Sequence, residues 1–241
     1  MSEIKLKIKN SIILYDDALF GKEEFKQTLF SPFYWREKGW CEPTAGGRGA
    51  SWFIGNDKRS WVLRHYRRGG LVGKFIDDWY LWTGEKSARP LAEWDVLQYL
   101  RERDMPVPQA VALRITRSTF GYRGDIITQR LPGIPLSELL IQGSLNGEVW
   151  AAVGVAAARL HRAGVWHADL NAHNILVDDN KAYLLDFDRA QIKVPAERWR
   201  KNNITRLQRS LAKLLGREIG DTEHYQGWRH ALDCYTEKYF S

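Results

Sequence analysis

Hydrophobic and polar positions follow a strand period in most of the first half of the chain. Between residues 4 and 9, isoleucine or leucine alternates with lysine, which predicts a half-buried strand with a basic outer face. That face is either simply solvated or an anion site. Short apolar runs predict further strands at residues 61–64, 111–117 and 122–130, the last two joined around a turn at Gly121.

The helical period dominates the second half. Apolar side chains recur every three or four residues within 148–163, which predicts an amphipathic helix that Gly164 ends. The same spacing recurs within 204–214. An earlier helix should start at Pro90, which suits a first helical turn, and run to about Arg103. Between the later helices, two apolar runs at 175–177 and 182–185 flank a turn-rich tetrapeptide and predict a hairpin.

Composition is that of a soluble globular protein. The chain has 241 residues, of which 44% are hydrophobic and 27% charged, enough for one large domain or two small lobes. Its two cysteines are too far apart in sequence to indicate a disulfide framework or a zinc site. No signal peptide is visible, and the longest apolar run, 149–158, is too short to cross a bilayer. These features predict a reducing cytoplasmic location.

Charge and tryptophan content narrow the possible partners. The net charge of +7 and the pI near 9.4 favour an anionic partner, which could be nucleic acid, a phosphorylated substrate or an acidic membrane surface. Eleven tryptophans suit a core, a sugar-binding face or a membrane interface. The helix predicted at 204–214 lies in a strongly basic segment. We expect its apolar face to pack on the protein, with insertion into lipid as the alternative, and its basic face to be able to touch lipid head groups.

One stretch carries specific chemistry. Residues 167–174 read His-Ala-Asp-Leu-Asn-Ala-His-Asn, and Asp-Phe-Asp follows at 186–188. The spelling matches the kinase catalytic loop His-x-Asp-Leu-x-x-x-Asn followed by a metal-binding Asp-Phe. In that chemistry one carboxylate orients the attacking hydroxyl, while an amide and a second carboxylate hold the metal on the ATP phosphates. We therefore predict Asp169 as the catalytic base, and Asn174 and Asp186 as Mg²⁺ ligands. His167 is expected to support the loop backbone.

A glycine-rich turn precedes the strand at 61–64. Gly46, Gly47 and Gly49 would let backbone amides approach phosphates, although a plain hairpin turn is the alternative. Arg64 takes the place that lysine has in the pattern Val-Ala-Ile-Lys, and its guanidinium can bind phosphate with two hydrogen bonds. It could instead be a surface cation on an edge strand.

Glu93 is predicted to hold Arg64. It lies on the predicted helix at 90–103, four and seven residues before two core leucines, and a carboxylate on such a face usually has a cationic partner. The resulting ion pair is the one that positions the phosphate-binding cation in kinases. A partly exposed Glu93 without a partner remains the alternative.

Several features separate this chain from regulated protein kinases. Asp188 stands where the metal-binding triplet of protein kinases ends in glycine, and neither an Ala-Pro-Glu motif nor a long activation loop follows. The irregular segment 131–135, Leu-Pro-Gly-Ile-Pro, would be the hinge whose backbone binds adenine. It divides the chain into a β-rich nucleotide-binding lobe, 1–130, and a reduced helical catalytic lobe, 131–241.

Together these motifs resemble the 3-deoxy-D-manno-octulosonic acid (Kdo) kinase group of lipopolysaccharide kinases, within the two-lobed, α+β protein-kinase-like fold. The likeness covers roughly residues 40–215. It rests on Val-Leu-Arg-His-Tyr-Arg-Arg-Gly-Gly at 62–70, Thr-Gln-Arg-Leu-Pro-Gly at 128–133, the catalytic loop and the Asp-Phe-Asp triplet. Arg64 in place of lysine, and Trp52 where a third loop glycine would fall, depart from the general kinase pattern.

The resemblance implies ATP-dependent phosphorylation of the 4-hydroxyl of Kdo on a lipid A precursor, with Mg²⁺. It implies a peripheral protein at the cytoplasmic face of the inner membrane, with the glycolipid and the anionic membrane surface as partners and no nucleic acid. Two alternatives stay open. One is a phosphotransferase for heptose or another small sugar compound; the other is a pseudokinase that binds nucleotide without turnover.

Overall fold

The computed structural model describes residues 3–20, 25–44, 51–56, 59–67 and 78–241, and its contacts divide the chain into two compact units. Unit 1 comprises residues 1–95 and 109–130, and unit 2 comprises 96–108 and 131–241. The chain passes from unit 1 to unit 2 for the last time after residue 130, the end of the nucleotide-binding lobe expected from the sequence. Residues 96–108, which the expected boundary places in that lobe, group with unit 2. Among the described residues no helix is long and apolar enough to cross a membrane.

Unit 1 is built on one antiparallel sheet. Its strands follow the spatial order β1-β2-β7-β8-β5-β4-β3, and β6 pairs with β8. The strands are β1 (Glu3–Ile8), β2 (Ser11–Asp16), β3 (Cys41–Pro43), β4 (Ser51–Asn56), β5 (Arg59–His65), β6 (Tyr80–Leu81), β7 (Ala110–Arg117) and β8 (Gly121–Gln129). Accessibility alternates along β1, as its lysine pattern predicts, because this edge strand turns one face to solvent.

Aromatic side chains fill the core on one side of this sheet. The short helices α1 (Asp17–Phe20) and α2 (Pro32–Glu37) bring Phe20 and Trp35 against the strand residues Trp61, Leu63 and Ile127. The indole N–H of Trp35 donates to the carbonyl of Leu29 at 2.8 Å. Part of the high tryptophan content therefore serves the core.

Helix α3 (Arg89–Arg101) begins close to the sheet. A Cβ atom on Gly124 of β8 would lie 2.4 Å from Cγ of Pro90, so only glycine allows the start of the helix to approach the strand this closely. Pro90 is the second residue of α3, and the helix ends two residues before the predicted Arg103.

Unit 2 is mainly helical. It contains α4 (Leu136–Ile141), α5 (Gly147–Arg162), α6 (Glu197–Leu215) and α7 (Tyr225–Phe240), with the short strands β9 (Ile134–Pro135), β10 (Val165–Trp166), β11 (Ile175–Asp178), β12 (Lys181–Leu184) and β13 (Gln191–Ile192). The predicted hairpin is β11–β12, and both residues of its turn, Asp179 and Asn180, have positive φ, as tight hairpins require. The mixed α+β class is confirmed.

Helix α5 is the centre of unit 2. The side chain of Asn146 caps it by accepting a hydrogen bond from the amide of Val149 at 2.9 Å. Helix α7 packs against it so closely that a Cβ atom on Gly154 would lie 2.0 Å from the carbonyl oxygen of Ala231. The apolar side of α6 also packs inward, since Leu207 and Leu211 are buried.

Candidate active site

His167 anchors the predicted catalytic loop. It is fully buried, its Nε2–H donates to the carbonyl of Leu185 at 2.9 Å, and its Nδ1 accepts from the backbone amide of Asp169 at 3.1 Å. Burial lowers the pKa of His167, so the ring is neutral and holds the tautomer that these two bonds require. The ring also packs edge-on against Phe187, with centroids 5.0 Å apart. One side chain thus links the loop to the segment that carries Asp186.

Asn203 of α6 fixes the same point from the other side. Its Oδ1 accepts from the backbone amide of His167 at 3.1 Å, and its Nδ2 donates to the His167 carbonyl at 2.8 Å. Asn203 is buried, and a buried amide without hydrogen-bond partners would destabilise the fold. Its two hydrogen bonds to the backbone of His167 therefore fix the point at which the loop leaves β10. Ser210, two turns further along α6, accepts a hydrogen bond from the amide of Ala172 at 3.0 Å.

Asp169 projects from this loop toward α6. Its Oδ1 accepts two hydrogen bonds from Arg206, one of them from Nε at 2.9 Å. Both side chains are about half exposed, 45% for Asp169 and 53% for Arg206. The carboxylate is therefore oriented by a cation while almost half of its side chain stays exposed.

The loop also presents Asn174. Asn171 caps the short 3-10 helix 172–174 by accepting from the backbone amides of His173 and Asn174 at 2.9 and 3.2 Å. The Nδ2 of Asn174 then donates to the Asp169 carbonyl at 2.9 Å, which commits the nitrogen end of the amide and leaves its oxygen end for another partner.

The β11–β12 hairpin returns the chain to this point. The backbone amide of Leu185 donates to the carbonyl of Asn174 at 2.9 Å, so Asp186 follows directly after a residue bonded to Asn174. Asp186 has φ 59°, a left-handed conformation that is uncommon for residues other than glycine and is often found at functional sites.

These oxygens suit Mg²⁺. An amide oxygen and a carboxylate are ligands that Mg²⁺ prefers, and in phosphoryl transfer the phosphates and water supply the others. Within the described part of the chain, no three His, Cys, Asp or Glu side chains cluster as an all-protein metal cage. A metal shared with the nucleotide phosphates fits this donor set.

Arg64 and Glu93 meet in unit 1. The guanidinium of Arg64 on β5 forms an ion pair with the carboxylate of Glu93 on α3, and the hydroxyl of Tyr66 donates to the same carboxylate. Glu93 is only 4% exposed, and β5 lies between β4 and β8, so Arg64 is not on an edge strand. Gly46, Gly47 and Gly49 lie outside the described residues.

Three side chains on α6 that contact the loop could not be identified from the sequence. Asn203, Arg206 and Ser210 follow one another at steps of three and four, so they share a face of the helix that borders the buried leucines. The spacing was visible in the sequence as a polar stripe beside an apolar one. Arg206, however, was only one of several cations in a basic segment.

The chain matches known proteins over most of its length. The sequence profile of the "Lipopolysaccharide kinase (Kdo/WaaP) family" matches residues 34–235. A "3-deoxy-D-manno-octulosonic acid kinase" of Stenotrophomonas maltophilia (strain K279a) is 43% identical over 89% of this chain and 88% of its own length. A protein with the same name from Xanthomonas axonopodis pv. citri (strain 306) is 42% identical over 84% of this chain and 82% of its own.

Structural comparison supports the fold. A solved structure described as "WaaP in complex with acyl carrier protein" superposes with a TM-score of 0.56, covering 93% of this chain and 88% of that chain at 18% identity. This confirms the predicted kinase-like fold. The sequence matches confirm the resemblance, and the chain belongs to the lipopolysaccharide kinase (Kdo/WaaP) family.

Proposed function

We propose that this protein is an ATP-dependent kinase that phosphorylates a Kdo hydroxyl on a lipid A precursor in lipopolysaccharide core biosynthesis. The observation that carries the proposal is the loop geometry in unit 2, where Asp169, Asn174 and Asp186 are held in the order and local contacts that phosphoryl transfer requires. The acceptor is proposed from the relatives, which match most of this chain and are named Kdo kinases.

Asp169 is the group that acts on the acceptor. Arg206 engages its Oδ1, so the other carboxylate oxygen can accept the hydrogen bond of the sugar hydroxyl and orient it for attack. The bond from its backbone amide to His167 fixes the main chain of Asp169, and the guanidinium of Arg206 orients its carboxylate. Little reorientation is then needed when the acceptor arrives.

Asn174 and Asp186 are the residues proposed to hold Mg²⁺. When bound, the ion would neutralise charge on the phosphates. The contribution of the chain is to fix the two oxygens, through the bond from Asn174 to the Asp169 carbonyl and through the left-handed backbone at Asp186.

Arg64 is proposed to bind phosphate, with Glu93 setting its direction. The buried carboxylate and the Tyr66 ring, 4.9 Å from the guanidinium carbon, restrict the rotamers of the arginine. Gly46, Gly47 and Gly49 are proposed to supply backbone amides to the same phosphates.

The finer features of the proposal are the position phosphorylated and the location. We assign the phosphate to the 4-hydroxyl, and the enzyme to the cytoplasmic face of the inner membrane as a peripheral protein. The net charge of +7 supports contact with anionic lipid. Association with anionic vesicles should weaken as salt rises, because exposed charges are screened. Association that is independent of salt would contradict this placement.

One experiment tests the activity. Purified protein with ATP and Mg²⁺ is offered a Kdo-bearing lipid A precursor, a heptose-bearing acceptor, an aminoglycoside and a generic protein, with Asp169→Asn as the matched control. We expect phosphate on the Kdo acceptor alone, at the 4-position by NMR, and loss of transfer with the control. Transfer only to another sugar would identify a different phosphotransferase, and nucleotide binding without any transfer would identify a pseudokinase.

A further inference from the structure

A pocket opens beside Asp169 within unit 2. Its volume is about 710 Å³, which is within the range of small-ligand sites. The catalytic loop and Trp166 form part of its wall, and one face of α6 forms most of the remainder. A molecule bound there lies next to the carboxylate proposed to orient the attacking hydroxyl.

The pocket is strongly cationic. Arg206, Arg209 and Lys213 line it from α6, at steps of three and four residues that place them in one row. Among the described residues that line the pocket, Asp169 is the only acidic one, and it binds Arg206. Arg209 and Lys213 are both exposed, so their charges are open to a bound anion.

The rest of the wall suits a sugar. Trp166 contributes an apolar ring surface, and Asn202 contributes an amide that can bond to hydroxyls. A basic row beside an amphipathic wall matches a sugar that carries a carboxylate better than it matches a neutral sugar or a peptide.

We infer that this pocket is the acceptor site and that Arg209 and Lys213 bind the carboxylate of an acidic sugar. The inference rests on the proposed function and adds the residues that select the acceptor. Arg209 can form a two-pronged bond to the carboxylate, and Lys213, one turn further along, adds a second charge. Asp169 then faces the hydroxyl side of the same sugar.

The test compares Arg209→Ala and Lys213→Ala with Lys201→Ala. Lys201 lies on α6 but does not line the pocket, and its exposed pair with Glu197 contributes little to stability. We expect either pocket variant to raise the KM for the Kdo acceptor about 10- to 100-fold, the loss expected for a charge-assisted hydrogen bond. The KM for ATP and the thermal midpoint should stay at wild-type values, and Lys201→Ala should behave as wild type.

Two modified acceptors identify the anion. One has the Kdo carboxylate converted to an amide, and the other lacks the lipid A phosphates. Wild type should lose affinity for the amide acceptor, whereas Arg209→Ala and Lys213→Ala should no longer distinguish amide from acid. If the variants instead bind the dephosphorylated acceptor and the unmodified acceptor equally well, Arg209 and Lys213 bind a lipid phosphate, and the carboxylate assignment is overturned.

The outcomes separate this inference from the proposed function. Wild type that transfers phosphate to no Kdo acceptor would overturn the proposed function, and the inference with it. Wild type that is active while both pocket variants keep its acceptor KM would overturn the inference alone. An equal rise in KM with Lys201→Ala would also overturn it, because the effect would then reflect the overall charge of α6.

Discussion

The buried ion pair between Arg64 and Glu93 should be energetically coupled. Glu93 is 4% exposed, and the side chain of Arg64 is 21% exposed. Replacing Glu93 with Leu removes the carboxylate that receives both the guanidinium and the Tyr66 hydroxyl. Arg64→Met removes the cation and leaves a carboxylate in a site with little water. Each single change therefore breaks this ion pair and keeps one of its two charges in a largely buried place.

The size of the effect follows from that burial. Breaking a buried pair by removing one partner costs about 3–5 kcal/mol, whereas replacing both partners with apolar groups is often close to neutral. The double variant Arg64→Met/Glu93→Leu should therefore be more stable than the sum of the two single losses predicts. Because the Arg64 side chain is 21% exposed and water can reach the pair in part, the single losses should fall below that range and the double variant should not be fully neutral. We therefore expect a coupling energy of about 2 kcal/mol, within the range for contacting residues.

Urea denaturation of wild type, both single variants and the double variant measures this coupling. A coupling energy below about 0.5 kcal/mol, the level of additivity for independent sites, would refute the reasoning. The activity of the isosteric Glu93→Gln gives a second test. This variant should raise the KM for ATP and leave the KM for the acceptor unchanged, because Glu93 is proposed to act only through Arg64.

Three further predictions concern unit 2. Asp169→Asn should lower kcat at least about 10²-fold, because the amide cannot take a proton; undiminished turnover in steady-state kinetics would exclude Asp169 as the base. Burial lowers the pKa of His161 to about 4. The unfolded chain, with a histidine pKa of about 6.5, binds more protons between these values, so stability should fall by up to about 3 kcal/mol as pH drops from 6.5 to 4. His161→Leu should flatten urea-derived stability against pH over this range, and an unchanged slope would assign the loss to other groups. Gly154→Ala places a methyl group 2.0 Å from the Ala231 carbonyl oxygen and should cost about 1–3 kcal/mol. Gly147→Ala in the same helix meets open space and should change the thermal midpoint little; equal shifts for both would contradict the close-packing argument.

Features that depend on neighbours in sequence could be predicted. The β11–β12 hairpin, the start of α3 near Pro90 and the course of α5 are set by turn residues, by proline and by apolar spacing, all of which act over a few positions. The catalytic loop could also be recognised in the sequence, because its chemistry requires particular residue types at fixed spacing. Asn171 bonds within that loop, and His167 bonds to Leu185 at the end of the hairpin that follows it.

The Arg64–Glu93 pair could be predicted because the kinase pattern specifies it, but the other contacts between distant segments could not. Asp169 meets Arg206 and His167 meets Asn203, in each case across more than 35 residues of chain. No local pattern indicates which of several arginines on a basic helix will face the loop. Helix α7 was also missed, because its core contribution is small, with only Trp228 and Ala231 buried.

The contacts of α6 with the catalytic loop limit how the length of this chain can vary. Asn203, Arg206 and Ser210 reach their partners only because the helix keeps them in register. One inserted residue between Asn203 and Arg206 would turn everything beyond it by about 100° and advance it by about 1.5 Å, which would withdraw Arg206 and Ser210 together. After Gly216, whose left-handed backbone ends the helix, the same insertion would leave that register intact. We therefore expect insertions and deletions to be tolerated between α6 and α7 and excluded from residues 203–210.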